Sequence, residues 1–200
     1  MKAIKGERVI KGRALTQDEL RLMFATCKTT TPSGARDAAL LGINYGAGLR
    51  RHEVVGLNME DFDRCAGTLI VRGKGAKERQ AYITNGSRSA LETWLSIRGN
   101  EPGPLFHPVN KAGVVEERRM SDQAVDWILQ RLAVHAKIQR FSPHDLRRSF
   151  ISDLLDAGAD IATVQQLAAH ANVTTTARYD RRGERTRRRA VELLHVPFNE

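Results

Sequence analysis

The chain has 200 residues, 41% apolar and 28% charged, enough for one folded domain with a hydrophobic core and at most a tail besides. Its 32 Lys and Arg against 23 Asp and Glu leave a formal charge of +9, which points to a polyanion as partner: DNA, RNA or an anionic membrane. A membrane-spanning protein is excluded, because no apolar run approaches the roughly 20 residues that cross a bilayer. No apolar signal core follows the basic start, and Cys27 and Cys65 lack metal-site spacing, so a cytoplasmic protein with reduced thiols is expected.

Residues 1–14 are polar and basic and read as a disordered or linking arm. Thr16 and Glu19 have the spacing of a capping box, and Leu20, Met23 and Phe24 follow on one helical face. A second helix is expected over about 33–45, broken by Gly46 and Gly48, with a short helix starting near Arg50 and ending by Leu57. Strand character then appears in Thr68-Leu69-Ile70-Val71-Arg72 and Arg79-Gln80-Ala81-Tyr82-Ile83, with Asn85-Gly86 closing the small sheet. A helix follows over 87–98, then a surface loop over 99–120 that carries three Pro and three Gly. From Ser121 the chain is helical almost to its end. Val125, Ile128, Leu129 and Leu132 form one apolar stripe, and Ser142-Pro143 opens a helix that Gly158 stops. Another runs over about 160–169, and a last short one begins at Thr174-Thr175-Thr176 and carries Tyr179. The fold class is therefore mainly α with a small antiparallel sheet, α+β.

Four pieces of chemistry stand out. His144 and Arg147 are three apart at a helix start, on one face, where backbone amides favour an anion. A surface His beside a salt-bridged Arg has the same appearance. Arg50 follows a glycine-rich turn, and Glu53 lies one turn on, placed to hold its guanidinium; an exposed Arg with a local ion pair explains this equally well. His170 ends one helix, and Tyr179 comes nine residues later, where a lone core-edge tyrosine also fits. Each piece is weak alone. Their order and spacing are specific.

With Leu15-Thr16-x-x-Glu19, Gly48-Leu49-Arg50-Arg51-His52-Glu53, Gly73-Lys74-Gly75-Ala76-Lys77-Glu78-Arg79, Ser142-Pro143-His144-Asp145-Leu146-Arg147 and Leu167-Ala168-Ala169-His170, the sequence closely resembles the catalytic domain of the tyrosine recombinases, the phage integrase family, from Leu15 to Arg182. The resemblance implies that family's DNA breaking-rejoining fold, with a three-stranded sheet at one edge. It implies site-specific DNA cleavage and rejoining through a 3′-phosphotyrosine, a chemistry shared with type IB topoisomerases. At matching positions, Arg50 and Arg147 would clamp the non-bridging oxygens of the scissile phosphate. His144 would assist the tyrosine proton or bond the phosphate. Lys74 would protonate the departing 5′ oxygen, with Lys77 its rival in the same turn. His170 would add a hydrogen bond and Tyr179 would attack. Glu53 would support Arg50, and Lys77, Arg148, Arg178, Arg181 and Arg182 are expected against DNA. No cofactor or metal is implied, since two planar guanidiniums match the charge that builds on the equatorial oxygens. The implied partner is double-stranded DNA, bound by a homotetramer on paired sites, with room for accessory DNA-bending proteins and no membrane. The expected setting is a prokaryotic cytoplasm, at the nucleoid or as the product of a phage or mobile element.

The sequence also departs from the pattern. Ala168-Ala169-His170 stands where Leu-Gly-His is common, and the small size of alanine argues for little harm. Arg148 stands where a second His is common. The separate N-terminal core-binding domain of the family is expected to be absent, leaving 1–14 as an arm, 15–182 as the catalytic domain and 183–200 as a basic tail with a short helix. Residues 180–189 carry six Arg against Asp180 and Glu184, either a solvated face or phosphate contacts. The apolar stripe over 190–194 is expected either to dock on a neighbouring subunit or to pack on its own domain. Two rivals remain for the function: a relaxing type IB topoisomerase, and a catalytically silent DNA-binding regulator. The regulator's mark would be loss of a core residue, and none is lost.

Overall fold

A computed structural model describes residues 12–73 and 78–180 and, beyond them, 183, 188, 191–193 and 195. Lys74, Lys77, Arg181 and Arg182 lie outside the described residues, as does much of the 183–200 tail. Helix α1 (Gln17–Thr26) starts with the reciprocal cap its sequence predicts: the Glu19 N–H donates to the Thr16 hydroxyl at 3.2 Å, and the Thr16 N–H donates to Glu19 Oε2 at 2.9 Å. The arm is not loose over 12–14, because Arg13 reaches both Glu19 and the carbonyl of Gln139. Helix α2 (Pro32–Gly46) places proline at its first turn, after Thr31, whose hydroxyl accepts from the Gly34 N–H at 3.2 Å. Gly34 through Asn44 are all buried, so α2 is the central element of the fold rather than an amphipathic surface helix.

After the short α3 (Arg51–Gly56) and a single 3-10 turn, β1 (Phe62–Asp63), β2 (Thr68–Arg72) and β3 (Glu78–Tyr82) form an antiparallel meander in the order β1-β2-β3. Leu69 pairs with Ala81 and Val71 with Arg79. Leu69, Val71 and Ala81 point inward while Ile70 and Arg72 face out, the period-two pattern of a sheet with one dry face. Asn85-Gly86, expected to close the sheet, instead begins helix α4 (Asn85–Arg98), with Asn85 at φ +48°. Ser87 Oγ donates to the Gly42 carbonyl at 3.0 Å and ties α4 to α2. Trp94 is fully buried and satisfies its indole N–H on the Leu105 carbonyl at 2.9 Å.

Helices α5 (Asp122–His135), α6 (Pro143–Asp156), α7 (Ile161–Leu167) and α8 (Val173–Ala177) complete the chain. Ser142 does open α6, but its hydroxyl donates to Asp145 Oδ2 at 2.9 Å instead of accepting a helix N–H. The last helix starts one residue earlier than expected, capped by the Asn172 side chain on Thr174 N–H at 2.9 Å. It ends at Ala177, so Tyr179 sits in the turn that follows, its N–H on the Thr176 carbonyl at 2.9 Å. Three consecutive β-branched threonines lose side-chain freedom in a helix and shorten it.

Two cores result. The larger gathers α1, α2, α4, α5 and the inner face of the sheet around Leu40, Ile43, Trp94 and Leu129. The smaller, made of Phe150, Ile151, Leu155, Val164 and Ala168, joins α6 to α7, with Tyr45 and Tyr179 packed at its border. No helix among the described residues is long and apolar enough to cross a membrane.

Candidate active site

Where the two cores meet, a cavity of about 290 Å³ is lined by Arg50, Arg51, Ser142, Pro143, His144 and Arg147. Arg147 is 1% exposed. Its Nη1 donates to the Gly48 carbonyl at 2.6 Å and its Nη2 donates to the Ala168 carbonyl, while Nε is buried with no partner among the described residues. One guanidinium thus spans from the α2–α3 turn to the end of α7. The Gly48 carbonyl reaches it because Gly48 adopts φ +59° and lies against the Phe150 ring; an added Cβ would fall 2.4 Å from that ring. Burial, then the charge of Arg50, pushes the Arg147 pKa down to about 10. It remains a cation at neutral pH.

Arg50 is fixed from behind. Glu53 accepts its backbone N–H at 2.8 Å and its Nη1 at 2.9 Å. Glu53 Oε2 also accepts from Arg79 Nη2 at 3.0 Å, so a strand β3 residue completes the clamp. Burial alone would raise the Glu53 pKa, but the Arg50 N–H and the charges of Arg79 and Arg50 outweigh it and leave the carboxyl below its ordinary range. A buried carboxylate shared by two guanidiniums neutralises part of the cation cluster while leaving Arg50 partly open to the cavity.

His144 stands on the rim, exposed, with its pKa lowered by desolvation and by Arg148 and Arg147. His170 leaves α7 through a backbone reversal: the His170 N–H reaches the Gln165 carbonyl at 3.1 Å and the Ala169 N–H reaches Gln166 at 2.9 Å. Ala169 between them is left-handed, at φ +45°, the position helix ends usually give to glycine. The expectation of little harm from alanine here rested on size; the relevant quantity is backbone torsion. His170 Nδ1 lies 2.9 Å from the buried Thr176 hydroxyl. Burial, then Arg147, Arg50 and His144, push its pKa down to about 4. Its ring stacks on Tyr179, centroids 6.3 Å apart and planes 24° off parallel.

Arg50, His144 and Arg147 therefore meet around one cavity, with His170 and Tyr179 on the adjoining α7–α8 segment. Two guanidiniums, two neutral imidazoles and a phenol suit a tetrahedral anion and a nucleophile beside it. Arg178 is exposed beside Tyr179. Arg148, expected against DNA, is 5% exposed and turned inward onto Asp145 and the Tyr179 ring. The first half of α6 is buried on every side, Asp145 through Ser152 all being covered, so no arginine of this stretch reaches the surface.

The family signature named Phage integrase family matches residues 13–185. The chain belongs to the phage integrase family. Tyrosine recombinase XerC of Azotobacter vinelandii is 36% identical over 178 residues, covering 88% of this chain and 57% of that protein. Tyrosine recombinase XerC of Pseudomonas aeruginosa (strain LESB58) is 38% identical over 147 residues, covering 72% of this chain and 46% of that protein. The chain thus spans about half the length of these integrase-family relatives. Among solved structures, XerA recombinase superposes with a TM-score of 0.72 at 25% identity, over 92% of this chain and 66% of that one. The XerH site-specific recombinase bound to palindromic difH substrate, in a post-cleavage complex, gives 0.70 at 23% identity, over 91% of this chain and 53% of that one; the fold is shared. Three residues of the integrase-family site escaped the sequence reading: Arg51 on the cavity wall, Arg79 behind Glu53, and Thr176 behind His170. Arg79 closes the glycine-rich hairpin motif, and that position was its one available signal.

Proposed function

We propose that this chain cuts and rejoins DNA at specific sites through a 3′-phosphotyrosine. The observation that carries the reading is the convergence of Arg50, His144 and Arg147 on one cavity with Tyr179 and His170 at its flank. The Tyr179 oxygen attacks the scissile phosphorus and its proton passes to the neutral His144 imidazole. Arg50 and Arg147 hold the non-bridging oxygens, and the buried, unpartnered Nε of Arg147 offers a further donor. His144 sits at the cavity mouth, and His170, oriented by Thr176, donates from its other ring nitrogen. The 5′ oxygen leaves with a proton from Lys74. Rejoining is the same step reversed: the 5′ hydroxyl attacks the phosphotyrosine and gives its proton back to Lys74, while the departing Tyr179 oxygen takes a proton back from His144. One phosphodiester replaces another, so no external energy source is needed. DNA is the proposed partner, with four copies assembled on paired sites. The name and the DNA-bound state of the XerH relative support this reading, as does the +9 charge.

The test is covalent capture. A random library of nicked duplexes is incubated with the protein, and the sequences captured covalently are recovered and used as substrate. An SDS-resistant adduct through Tyr179 is expected, lost in Tyr179→Phe and unaffected by EDTA. An adduct that persists in Tyr179→Phe sinks the assignment. Relaxation of any supercoiled plasmid without paired sites would instead mark a topoisomerase.

A further inference from the structure

The start of α6 holds a second charged cluster that the proposed chemistry does not use. Asp145 is buried and accepts the Ser142 N–H and hydroxyl on Oδ2, each at 2.9 Å. Its Oδ1 faces two other groups: the Arg13 backbone N–H at 3.2 Å and the Nε of Arg148 at 4.0 Å. Arg148 in turn places its guanidinium carbon 5.7 Å from the centre of the Tyr179 ring, within the range of about 6 Å where a cation is attracted to an aromatic face. At the other end, Gly12 has φ +132°, and a Cβ there would fall 2.4 Å from Asp145 Oδ1 and 2.7 Å from Arg148 Nη1. The backbone must pass over this carboxylate and guanidinium with no side chain between. Gly12, Asp145, Arg148 and Tyr179 form one continuous line of contact.

We propose that Asp145 and Arg148 are positioning residues that couple the ring of Tyr179 to the arm at Gly12 and Arg13. Asp145 gives the buried Arg148 guanidinium a counter-charge at 4.0 Å, which favours its place beside the tyrosine ring. Ser142 holds Asp145 by Oδ2, and the Arg13 N–H of the arm engages Oδ1, the oxygen that faces Arg148. Tyr179 itself follows a five-residue helix on the smaller core, where local contacts hold it weakly. The ring's angle is set between His170 on one side and Arg148 on the other, and displacement of the arm changes the second of these. The consequence for cleavage rests on the proposed function; the line of contact does not.

Fluorine NMR of protein labelled with 3-fluorotyrosine tests this directly. The chain has three tyrosines, and Tyr179→Phe identifies the resonance of interest against Tyr45 and Tyr82. Arg148→Gln and Gly12→Ala are each expected to shift or broaden the Tyr179 resonance and leave the other two in place. The double variant should move it no further than the stronger single change, because both act through one link. Arg148→Lys, which keeps a cation near the ring, should lie closer to wild type than Arg148→Gln. A Tyr179 resonance indifferent to Gly12→Ala overturns the coupling, as do additive shifts. Movement of all three resonances together also overturns it, since a loosened fold gives that pattern. On the selected nicked DNA, the same variants should slow single-turnover capture about tenfold or more with affinity unchanged. Wild-type protein that captures no DNA would defeat the proposed function and leave the fluorine result to decide the coupling.

Discussion

At the scale of single residues, the end of α7 carries a removable strain. Ala169 holds φ +45° in a reversal that normally takes glycine, and a left-handed L-residue costs about 1–2 kcal/mol. Ala169→Gly should therefore stabilise the fold by about 1 kcal/mol, less what glycine adds to unfolded-chain entropy; a denaturant titration measures it, and a loss of stability would place the strain elsewhere. His170, next in the chain, sets a pH dependence. Its folded pKa is about 4, below the ordinary histidine value near 6.5. Between those values the unfolded chain binds a proton that the folded chain refuses, so stability falls as pH drops through this window. Urea midpoints at about pH 7 and about pH 5 should converge in His170→Gln relative to wild type, and unchanged separation would rule out this residue as a cause. The site residues most legible in the sequence were those whose roles depend on local spacing: His144 and Arg147 on one helical face, Glu53 one turn from Arg50. Arg79 and Thr176 were hidden because each acts on a partner brought in by tertiary folding, where no periodicity marks it. The burial of Arg148 is not legible either, because its charge points to solvent while folding places Asp145 and the Tyr179 ring beside it.

At the scale of elements, the boundaries that capping chemistry controls were readable from the sequence, including Thr16 with Glu19 and Ser142 with Pro143. Those set by packing were not: the two-residue β1 exists because Phe62 pairs with Leu69, and α4 absorbs Asn85-Gly86 because Ser87 docks on α2. The division into two cores also emerges only on folding. It gives the elements unequal stability. Helices α2 and α4 share the large core, whereas α7 and α8 depend on a handful of apolar side chains. Amide hydrogen exchange should therefore be fastest in α7 and α8, with α2 and α4 opening only in global unfolding. Uniform protection across all four would show that the smaller core is not a separate unit.

At the scale of the whole molecule, charge dominates. The exposed or half-exposed arginines near the cavity, Arg50, Arg51 and Arg178, suit phosphate oxygens more than base edges, and contacts of that kind position a protein without reading sequence. Binding of the 200-residue chain to duplex DNA is therefore expected near micromolar and to weaken steeply with salt, with little preference among duplexes. Polarisation titrations across ionic strength decide this; tight, selective, salt-insensitive binding would locate base readout within these residues.

The Arg147 guanidinium, held between the Gly48 and Ala168 carbonyls, works as a latch between the two halves of the molecule. Until both halves have docked, one carbonyl or the other is missing, and the cation has no fixed direction. The same holds for the tyrosine, which enters the site only with the second half. A chain partly unfolded by heat would then hold all the groups for DNA scission and no assembled blade. For a protein whose proposed reaction breaks DNA strands, the latch makes complete folding the safety catch.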